Sequence, residues 1–333
     1  MSNLESLNKA VLEKRETAIP QYDDTHYAVV DLGSNSFHLL ITQLIVTPAG
    51  KSIKTVNKVK QKVRLAAGLD SHNQLTNEAI IRGLDCLKNF SLYLNTIPIE
   101  NTLIVATAAL RIAQNNQIFF DAAKLILPKP IKLLSGEDEA KTIYSGVAHT
   151  SDNKSILLTK QLVLDIGGAS TEIIIGSGCT ARKVVSLEIG CVSFIGKYFT
   201  DGLLKQENFE QCIANASDVI NSVKEAFIQL GWQSAVGSSG TMQALAEILN
   251  HRKQEPIITL AFLYEIQDTL IHCKTIENIS IIGLRADRKA VLASGLSILI
   301  ALFQCLNIET LKLSNGALRE GLLFQLVPDA KII

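Results

Sequence analysis

The strongest chemical signal in the sequence is a pair of carboxylates, Asp165 and Glu172, on either side of a turn of small residues. The turn consists of Gly167, Gly168, Ala169, Ser170 and Thr171. Its backbone is open to close approach by a ligand, and successive N–H groups in such a turn can bind an anion. Carboxylate oxygens are ligands that suit Mg²⁺. The pattern indicates a phosphate-binding turn beside a magnesium site, although an ordinary β-hairpin with Asp165 capping its turn explains it equally well.

A near-copy of this stretch lies upstream, at residues 29–41, and its turn consists of Gly33, Ser34, Asn35 and Ser36. The identical positions are Val29, Asp31, Gly33, Ser36 and Ile41, which align without a gap with Val163, Asp165, Gly167, Ser170 and Ile175. Two such hairpins in one chain suggest two related domains that face each other. A cleft between domains is a usual place for a ligand.

Two further side chains follow predicted strands, at the sheet edge where ligands of open α/β sheets commonly bind. Arg111 lies just past a strand predicted at 102–106, and a surface arginine is the alternative for it. Glu139 lies in the first turn of a helix that opens at Ser135. Helix capping and the helix dipole explain Asp138 better than Glu139, since one acid already serves the cap. Glu139 is therefore a candidate catalytic group.

A third turn of small residues follows another predicted strand and opens a helix. It consists of Gly237, Ser238, Ser239 and Gly240. The N–H groups at a helix N-terminus can bind phosphate, and an ordinary strand-to-helix turn is the alternative. A fourth polar turn, at 314–321, has the same position after a strand. Four such turns are hard to attribute to packing alone.

A basic stripe follows the strand predicted at 52–63. Its members are Lys54, Lys58, Lys60, Lys62 and Arg64, and their even numbers place them on one face of a regular strand. They could form a wall for a polyanion. A sheet edge that charge protects from aggregation accounts for them better.

The elements that must position these groups follow from hydrophobic periodicity. Strands are predicted at 27–32, 37–46, 52–63, 102–106, 131–134, 163–165, 172–175, 181–187, 235–236 and 310–313. Helices are predicted at 76–94, 135–149, 191–199, 206–230, 259–273 and 287–305, with a linker at 151–160.

Bulk composition excludes several classes of protein. Lys and Arg total 32, as do Asp and Glu, so the balanced charge indicates no nucleic-acid partner. Six cysteines without metal-ligand spacing, and a polar N-terminus without a signal core, favour a reducing, cytoplasmic location. The uncharged run 290–308 is interpreted as a buried helix rather than a membrane span.

Taken together, the motifs resemble the Ppx/GppA phosphatase family, within the actin-like ATPase superfold. The matching stretches are DLGSNSFHLLI (31–41), KVRLAAGL (62–69), ATAALR (106–111), SGEDEA (135–140), LDIGGASTE (164–172), GCVSF (190–194), GSSGT (237–241) and SNGALREG (314–321). They span nearly the whole chain in order. The sequences IYSGVAHT (143–150) and LASGLSILIALF (292–303) are more similar to the guanosine pentaphosphate phosphohydrolase branch.

The resemblance implies an α/β fold with two RNase H-like domains around an interdomain cleft. The expected division is a polar tail at 1–26, domain I at 27–149 and domain II at 150–333. We expect no C-terminal helical domain of the kind that many family members carry. A homodimer is a possible assembly.

The implied activity is removal of the terminal phosphate from pppGpp, from inorganic polyphosphate, or from both, by Mg²⁺-assisted in-line attack of water. The alternative is an exopolyphosphatase that acts chiefly on inorganic polyphosphate. A kinase of small acids or sugars, and a non-catalytic sensor of phosphorylated nucleotides, also stay open.

The resemblance assigns roles residue by residue. Glu139 corresponds to the general base, and Arg111 would face the terminal phosphate. Asp31, Asp165 and Glu172 correspond to acids of the metal and water site, and the three turns of small residues would hold phosphates. Candidates for the remote phosphates are Lys62, Arg64, Arg285, Arg288 and Lys289.

Overall fold

The fold consists of two six-stranded sheets with helices packed against them. A computed structural model describes residues 21–48, 50–151 and 159–332. Most of the predicted tail at 1–26, and most of the predicted linker at 151–160, lie outside the described residues.

The first sheet has the strand order β12-β3-β2-β1-β4-β5. Its strands are β1 (His26–Leu32), β2 (Ser36–Thr47), β3 (Gly50–Lys62), β4 (Thr102–Ala106), β5 (Lys132–Leu133) and β12 (Lys331–Ile332). Strand β1 pairs antiparallel with β2 and parallel with β4. The carboxyl ends of β1 and β4 therefore lie at the same edge.

The second sheet repeats this arrangement, with the order β10-β11-β9-β6-β7-β8. Its strands are β6 (Lys160–Ile166), β7 (Thr171–Ser177), β8 (Thr180–Leu187), β9 (Ser234–Ser238), β10 (Ile257–Ile258) and β11 (Leu311–Leu313). Strand β6 pairs antiparallel with β7 and parallel with β9, as β1 pairs with β2 and β4. Two halves of like topology confirm the predicted fold class.

The described residues form eleven α-helices. They are α1 (Asn77–Leu94), α2 (Ala108–Ile112), α3 (Asn116–Lys124), α4 (Gly136–His149), α5 (Cys191–Tyr198), α6 (Gln206–Asn221), α7 (Lys224–Leu230), α8 (Ser239–His251), α9 (Leu260–Cys273), α10 (Lys289–Leu306) and α11 (Leu318–Leu326). The single helix predicted at 206–230 is two helices, α6 and α7. The elements that the sequence did not predict are α2, α3, β10 and β12.

Helix α10 is the apolar run that the sequence singles out. It is the one helix in the described ranges that is long and apolar enough to cross a membrane, and 72% of its apolar window is buried inside the fold. It packs against α5, α6 and α9. Its apolar surface is thus covered by other helices, which is typical of a core helix.

The last described segment returns to the first half. Helix α11 packs on α4 and β1, and β12 pairs with β3. The division of the chain at residues 149 and 150 stays a prediction. The close crossing of α4 and α11 depends on glycine, because a Cβ on Gly146 would overlap the carbonyl oxygen of Ala317.

We therefore predict that Gly146→Ala destabilises the protein. Alanine normally favours a helix, but here overlap with backbone atoms must push α11 away, at a cost of about 1–3 kcal/mol. Gly196, in α5, is the matched control because nothing lies within 4 Å of a Cβ placed there. Gly196→Ala should be neutral or stabilise by up to about 1 kcal/mol. Urea unfolding measures both variants, and equal stability of the two would contradict this packing.

Candidate active site

The two repeated hairpins bring their turns into contact. The β1–β2 register sets Asp31 opposite His38, and the β6–β7 register sets Asp165 opposite Glu172. A Cβ on Gly168 would lie only 2.8 Å from the Cβ of Ser34. The absence of a side chain at Gly168 therefore lets the turn of the second half approach the turn of the first.

A cavity of about 210 Å³ lies between the two halves. It is lined by most of the residues that the sequence predicted. These are Asp31, Gly33, Ser34, Asn35, Ser36, Glu139, Asp165, Gly167, Gly168, Ser170, Glu172, Ser239 and Gly240. Four acidic side chains and parts of all three predicted phosphate-binding turns thus share one cavity.

Other predicted residues do not line this cavity. They are Ala169, Thr171, Gly237, Ser238, Lys62, Arg64, Arg285 and Arg111. Two of them form hydrogen bonds that hold the hairpin of the second half in place. The Thr171 hydroxyl donates to the carbonyl of Ile189 at 2.6 Å, and the Ser238 hydroxyl donates to the Asp165 carboxylate.

Helix α4 presents Glu139 to the cavity. The Ser135 hydroxyl accepts a hydrogen bond from the backbone N–H of Asp138, so the cap is complete without Glu139. The Glu139 side chain is buried and accepts a 2.8 Å hydrogen bond from Arg111 at Oε2. Burial raises the pKa of Glu139 to about 7, the nearby acids add to the rise, and Arg111 opposes it. Such a carboxyl can take up a proton near neutral pH.

Arg111 binds Glu139 rather than facing the cavity. Its guanidinium also donates to the carbonyl of Leu134 at 3.0 Å and to the Ser186 hydroxyl at 3.4 Å. The same hydroxyl donates to Glu172 at 2.7 Å, so one chain of contacts joins Glu139 to Glu172 across the two halves. The predicted place of Arg111 at a terminal phosphate stays a prediction, and its observed role is to hold Glu139.

Asp165 and Glu172 are buried acids without a basic partner. Within the described ranges, neither of them forms a salt bridge. Burial, with added repulsion from Asp31, raises the pKa of Asp165 to about 6. Burial, together with repulsion from Glu139 and Asp165, raises the pKa of Glu172 well above its ordinary value. Burial and mutual repulsion therefore disfavour the charged form of both acids, and a cation bound beside them would favour it.

The residues present fit a hard cation. Asp31 Oδ1 is buried and has no hydrogen-bond partner in the described part of the chain. No group of three or more His, Cys, Asp or Glu side chains there is arranged to enclose a metal on its own. Mg²⁺ commonly takes only one or two carboxylates and completes its shell with water and substrate phosphates. One or two carboxylates among Asp31, Asp165 and Glu172 would suit that mode of binding.

Several lining residues were not assigned to the site from the sequence. They are Lys60, Thr107, Gln243 and Arg319. Arg319 lies in the fourth polar turn, at the start of α11, and that turn was the one signal for it in the sequence. Arg288, a candidate for the remote phosphates, lines the cavity too and donates to Gln243 at 2.8 Å. Lys60, Arg288 and Arg319 therefore add positive charge to the cavity that the acids line.

The third turn carries backbone strain. Ser239 has a φ of +89°, in the region that favours glycine, at the start of α8. Its neighbour Gly240 has no side chain, and a Cβ there would overlap the Arg288 guanidinium. Strained backbone that persists at a cavity is typical of a ligand-binding turn.

Two like halves around an acidic cleft define the actin-like ATPase superfold. The chain belongs to the Ppx/GppA phosphatase family, whose model matches residues 44–330. This confirms the resemblance seen in the motifs. Phosphatases of this type are generally metal-dependent.

Curated relatives are similar over nearly the whole chain. The guanosine-5'-triphosphate,3'-diphosphate pyrophosphatase of Photobacterium profundum is 48% identical over 301 residues, which are 90% of this chain and 59% of that protein. The enzyme of the same name from Vibrio cholerae serotype O1 is 47% identical over 305 residues, 92% of this chain and 60% of that protein. The chain thus spans about three fifths of the length of these relatives. The similarity supports the predicted branch of the family.

Solved structures share the fold. An exopolyphosphatase from Cytophaga hutchinsonii ATCC 33406 matches with a TM-score of 0.79 and 24% identity, over 90% of this chain and 97% of that chain. The Aquifex aeolicus member of the Ppx/GppA family matches with a TM-score of 0.71 and 23% identity, over 91% of this chain and 97% of that chain.

We predict that Glu172→Gln stabilises the metal-free protein at alkaline pH. Because the folded-state pKa of Glu172 is raised, the folded protein keeps a proton that the unfolded chain has already lost. The stabilisation from this group is complete at low pH and is lost as pH rises, whereas glutamine cannot ionise. In EDTA, the difference in free energy of unfolding between the variant and wild type should increase by on the order of 1 kcal/mol, in favour of the variant, from about pH 5 to about pH 8. Urea unfolding at both pH values measures this, and a gain that shrinks with pH would contradict the assignment.

Proposed function

We propose that the chain is a phosphoanhydride hydrolase that removes the terminal phosphate of pppGpp to give ppGpp. The observation that carries this proposal is the meeting of Glu139, three acids and three small-residue turns in one cavity. The names of the curated relatives support the guanosine substrate. Mg²⁺ is the proposed cation, since the cavity offers carboxylate oxygens and not thiolates or paired imidazoles.

Glu139 is the proposed general base. Arg111 binds its Oε2, which fixes the carboxylate and leaves Oε1 to accept a proton from water. With a pKa of about 7, Glu139 ionises close to neutral pH and can still take up a proton during the reaction. Burial excludes bulk water, so the base acts on a water held in the cavity.

The turns hold the phosphates in this account. Backbone N–H groups at Gly33–Ser36, Gly168–Ser170 and Ser239–Gly240 are suited to phosphate oxygens. Arg288 and Arg319 line the same cavity and add fixed positive charge. Bound Mg²⁺ at Asp31, Asp165 and Glu172 would neutralise charge on the transferring phosphoryl group. An in-line displacement needs little else from the protein.

An exopolyphosphatase that acts chiefly on inorganic polyphosphate is the second proposal. The Cytophaga hutchinsonii structure, which carries that name, supports it. So do the basic side chains at the mouth of the cavity, among them Lys60 and Arg288. The cytoplasmic location and the homodimer stay predictions.

A phosphate-release assay tests both proposals. With Mg²⁺, pppGpp should lose its terminal phosphate and accumulate as ppGpp, and EDTA should abolish the release. Faster release from long-chain polyphosphate than from pppGpp would favour the second proposal. Release only after a phosphate acceptor is added would indicate a kinase, and binding of pppGpp without release would indicate a sensor.

Glu139→Gln should bind substrate with near-normal affinity but lose at least about 100-fold in kcat, because the water loses its base. Wild-type kcat/KM should rise with pH through about 7, as Glu139 loses its proton, and the variant should lack this step. Glu137→Gln is the matched control, because Glu137 lies on the same helix turn but is exposed and pairs with Lys141. Single-turnover kinetics measure these changes. Equal activity of the two variants would disprove the assignment of the base.

A further inference from the structure

A basic cluster with one internal acid lies at the mouth of the cavity. We define this mouth cluster as Lys60 and Lys62 of β3, together with Arg285, Asp287 and Arg288 from the segment before α10. The two lysines belong to the first half and the other three residues to the second. Lys60 and Arg288 also line the cavity, so the cluster is continuous with the proposed site.

Asp287 makes the contacts that join the cluster. Its carboxylate accepts two hydrogen bonds from Arg285, at 3.0 and 3.1 Å, and lies 3.7 Å from Lys60 Nζ. Lys62 Nζ donates to the main-chain oxygen of Asp287 at 2.6 Å. A single carboxylate thus serves cations from both halves. A second acid, Glu247 of α8, approaches the cluster only from the side of the second half, with its Oε1 3.8 Å from Arg285 Nη1.

The charges in the cluster are unbalanced. Burial and the nearby Arg288 lower the pKa of Lys60, while Asp287 opposes that change. Partial burial alone would raise the pKa of Asp287. The pKa is nevertheless below its ordinary value, because the carboxylate lies near Arg285, Arg288 and Lys60. Four cations beside two carboxylates, Asp287 and Glu247, leave a surplus of positive charge, which attracts polyanions.

A phosphate chain that leaves the cavity past Lys60 and Arg288 would meet the rest of this cluster. Its oxygens would compete with the Asp287 carboxylate for Arg285 and Lys60, and would be repelled by that carboxylate as long as it stays in place. A short substrate that ends inside the cavity does not face this competition.

We propose that Asp287 is a specificity-determining residue whose carboxylate occupies the cationic mouth cluster and so disfavours substrates with long phosphate chains. This inference rests on the proposed phosphoanhydride hydrolase function. It assigns Asp287 a role in choosing among phosphate substrates, beyond the cleavage step itself.

The test compares Asp287→Asn with wild type on tripolyphosphate and on long-chain polyphosphate. Removal of the carboxylate should raise the ratio of kcat/KM on the long chain to that on the short one by about threefold, which is the range of partly exposed ion pairs. The gain should lie in KM and should shrink at high salt. Asp287→Ser, which also removes the charge, should act in the same way, and Asp287→Glu should resemble wild type.

The matched control is Asp121→Asn, which removes an exposed acid paired with Lys124 on α3, away from the cavity. It should leave the ratio unchanged. An unchanged or lower ratio in Asp287→Asn and Asp287→Ser would overturn the inference, because Asp287 would then only join the two halves. Calorimetric binding of long-chain polyphosphate tests the role of Asp287 separately from the proposed hydrolase function. Tighter binding by Asp287→Asn and Asp287→Ser without turnover would support the role of Asp287 and reject the hydrolase.

Discussion

Four carboxylates that repel one another face one cavity, and the fold must hold them together against that repulsion. Asp31, Asp165, Glu139 and Glu172 are drawn from both halves, and burial raises the pKa of the last three. Buried charge of one sign is costly unless it is paired, and a protein retains it only where the packing around it is rigid. The rest of the fold can be understood as the means by which these acids are held together and, in the proposed function, offered to a cation.

The repeated topology provides that rigidity. In each half a β-hairpin and a parallel neighbour, β1–β2 with β4 and β6–β7 with β9, carry the acids on strands rather than on loops. The halves meet through turns that lack bulky side chains. The contacts from Glu139 through Arg111 and Ser186 to Glu172 then cross the boundary between them. In the proposed mechanism, the base and the metal-binding acids would therefore keep a fixed relation.

Much of this could be predicted from local patterns. The turn of small residues between Asp165 and Glu172 predicts a hairpin that sets the two acids on neighbouring strands. The near-copy at residues 29–41 indicates the other hairpin. Glu139 stood out because the helix cap was complete without it. These signals depend on residues close together in the chain, which is why a single sequence reveals them.

The remaining features depend on contacts between distant residues. The polar turn at 314–321 was the one local signal for Arg319, and nothing local to Gln243 indicates that α8 points it into the same cavity. The place of Arg111 after β4 was predicted. Its hydrogen bond to Glu139 was not, because that contact depends on how α2 and α4 pack. The basic stripe of β3 was attributed to a sheet edge. Yet β12 pairs with part of that edge, and Lys60 and Lys62 reach across to residue 287.

The central claim is that turns and carboxylates from both halves form one site for a cation and a phosphate chain. The most direct measurement is the crystal structure of the protein with Mn²⁺ and a non-hydrolysable analogue of pppGpp. We expect an anomalous Mn²⁺ peak about 2.1 Å from carboxylate oxygens of Asp165 or Glu172, with the terminal phosphate between the two hairpin turns and beside Glu139. A metal or phosphate chain bound outside this cavity would contradict it.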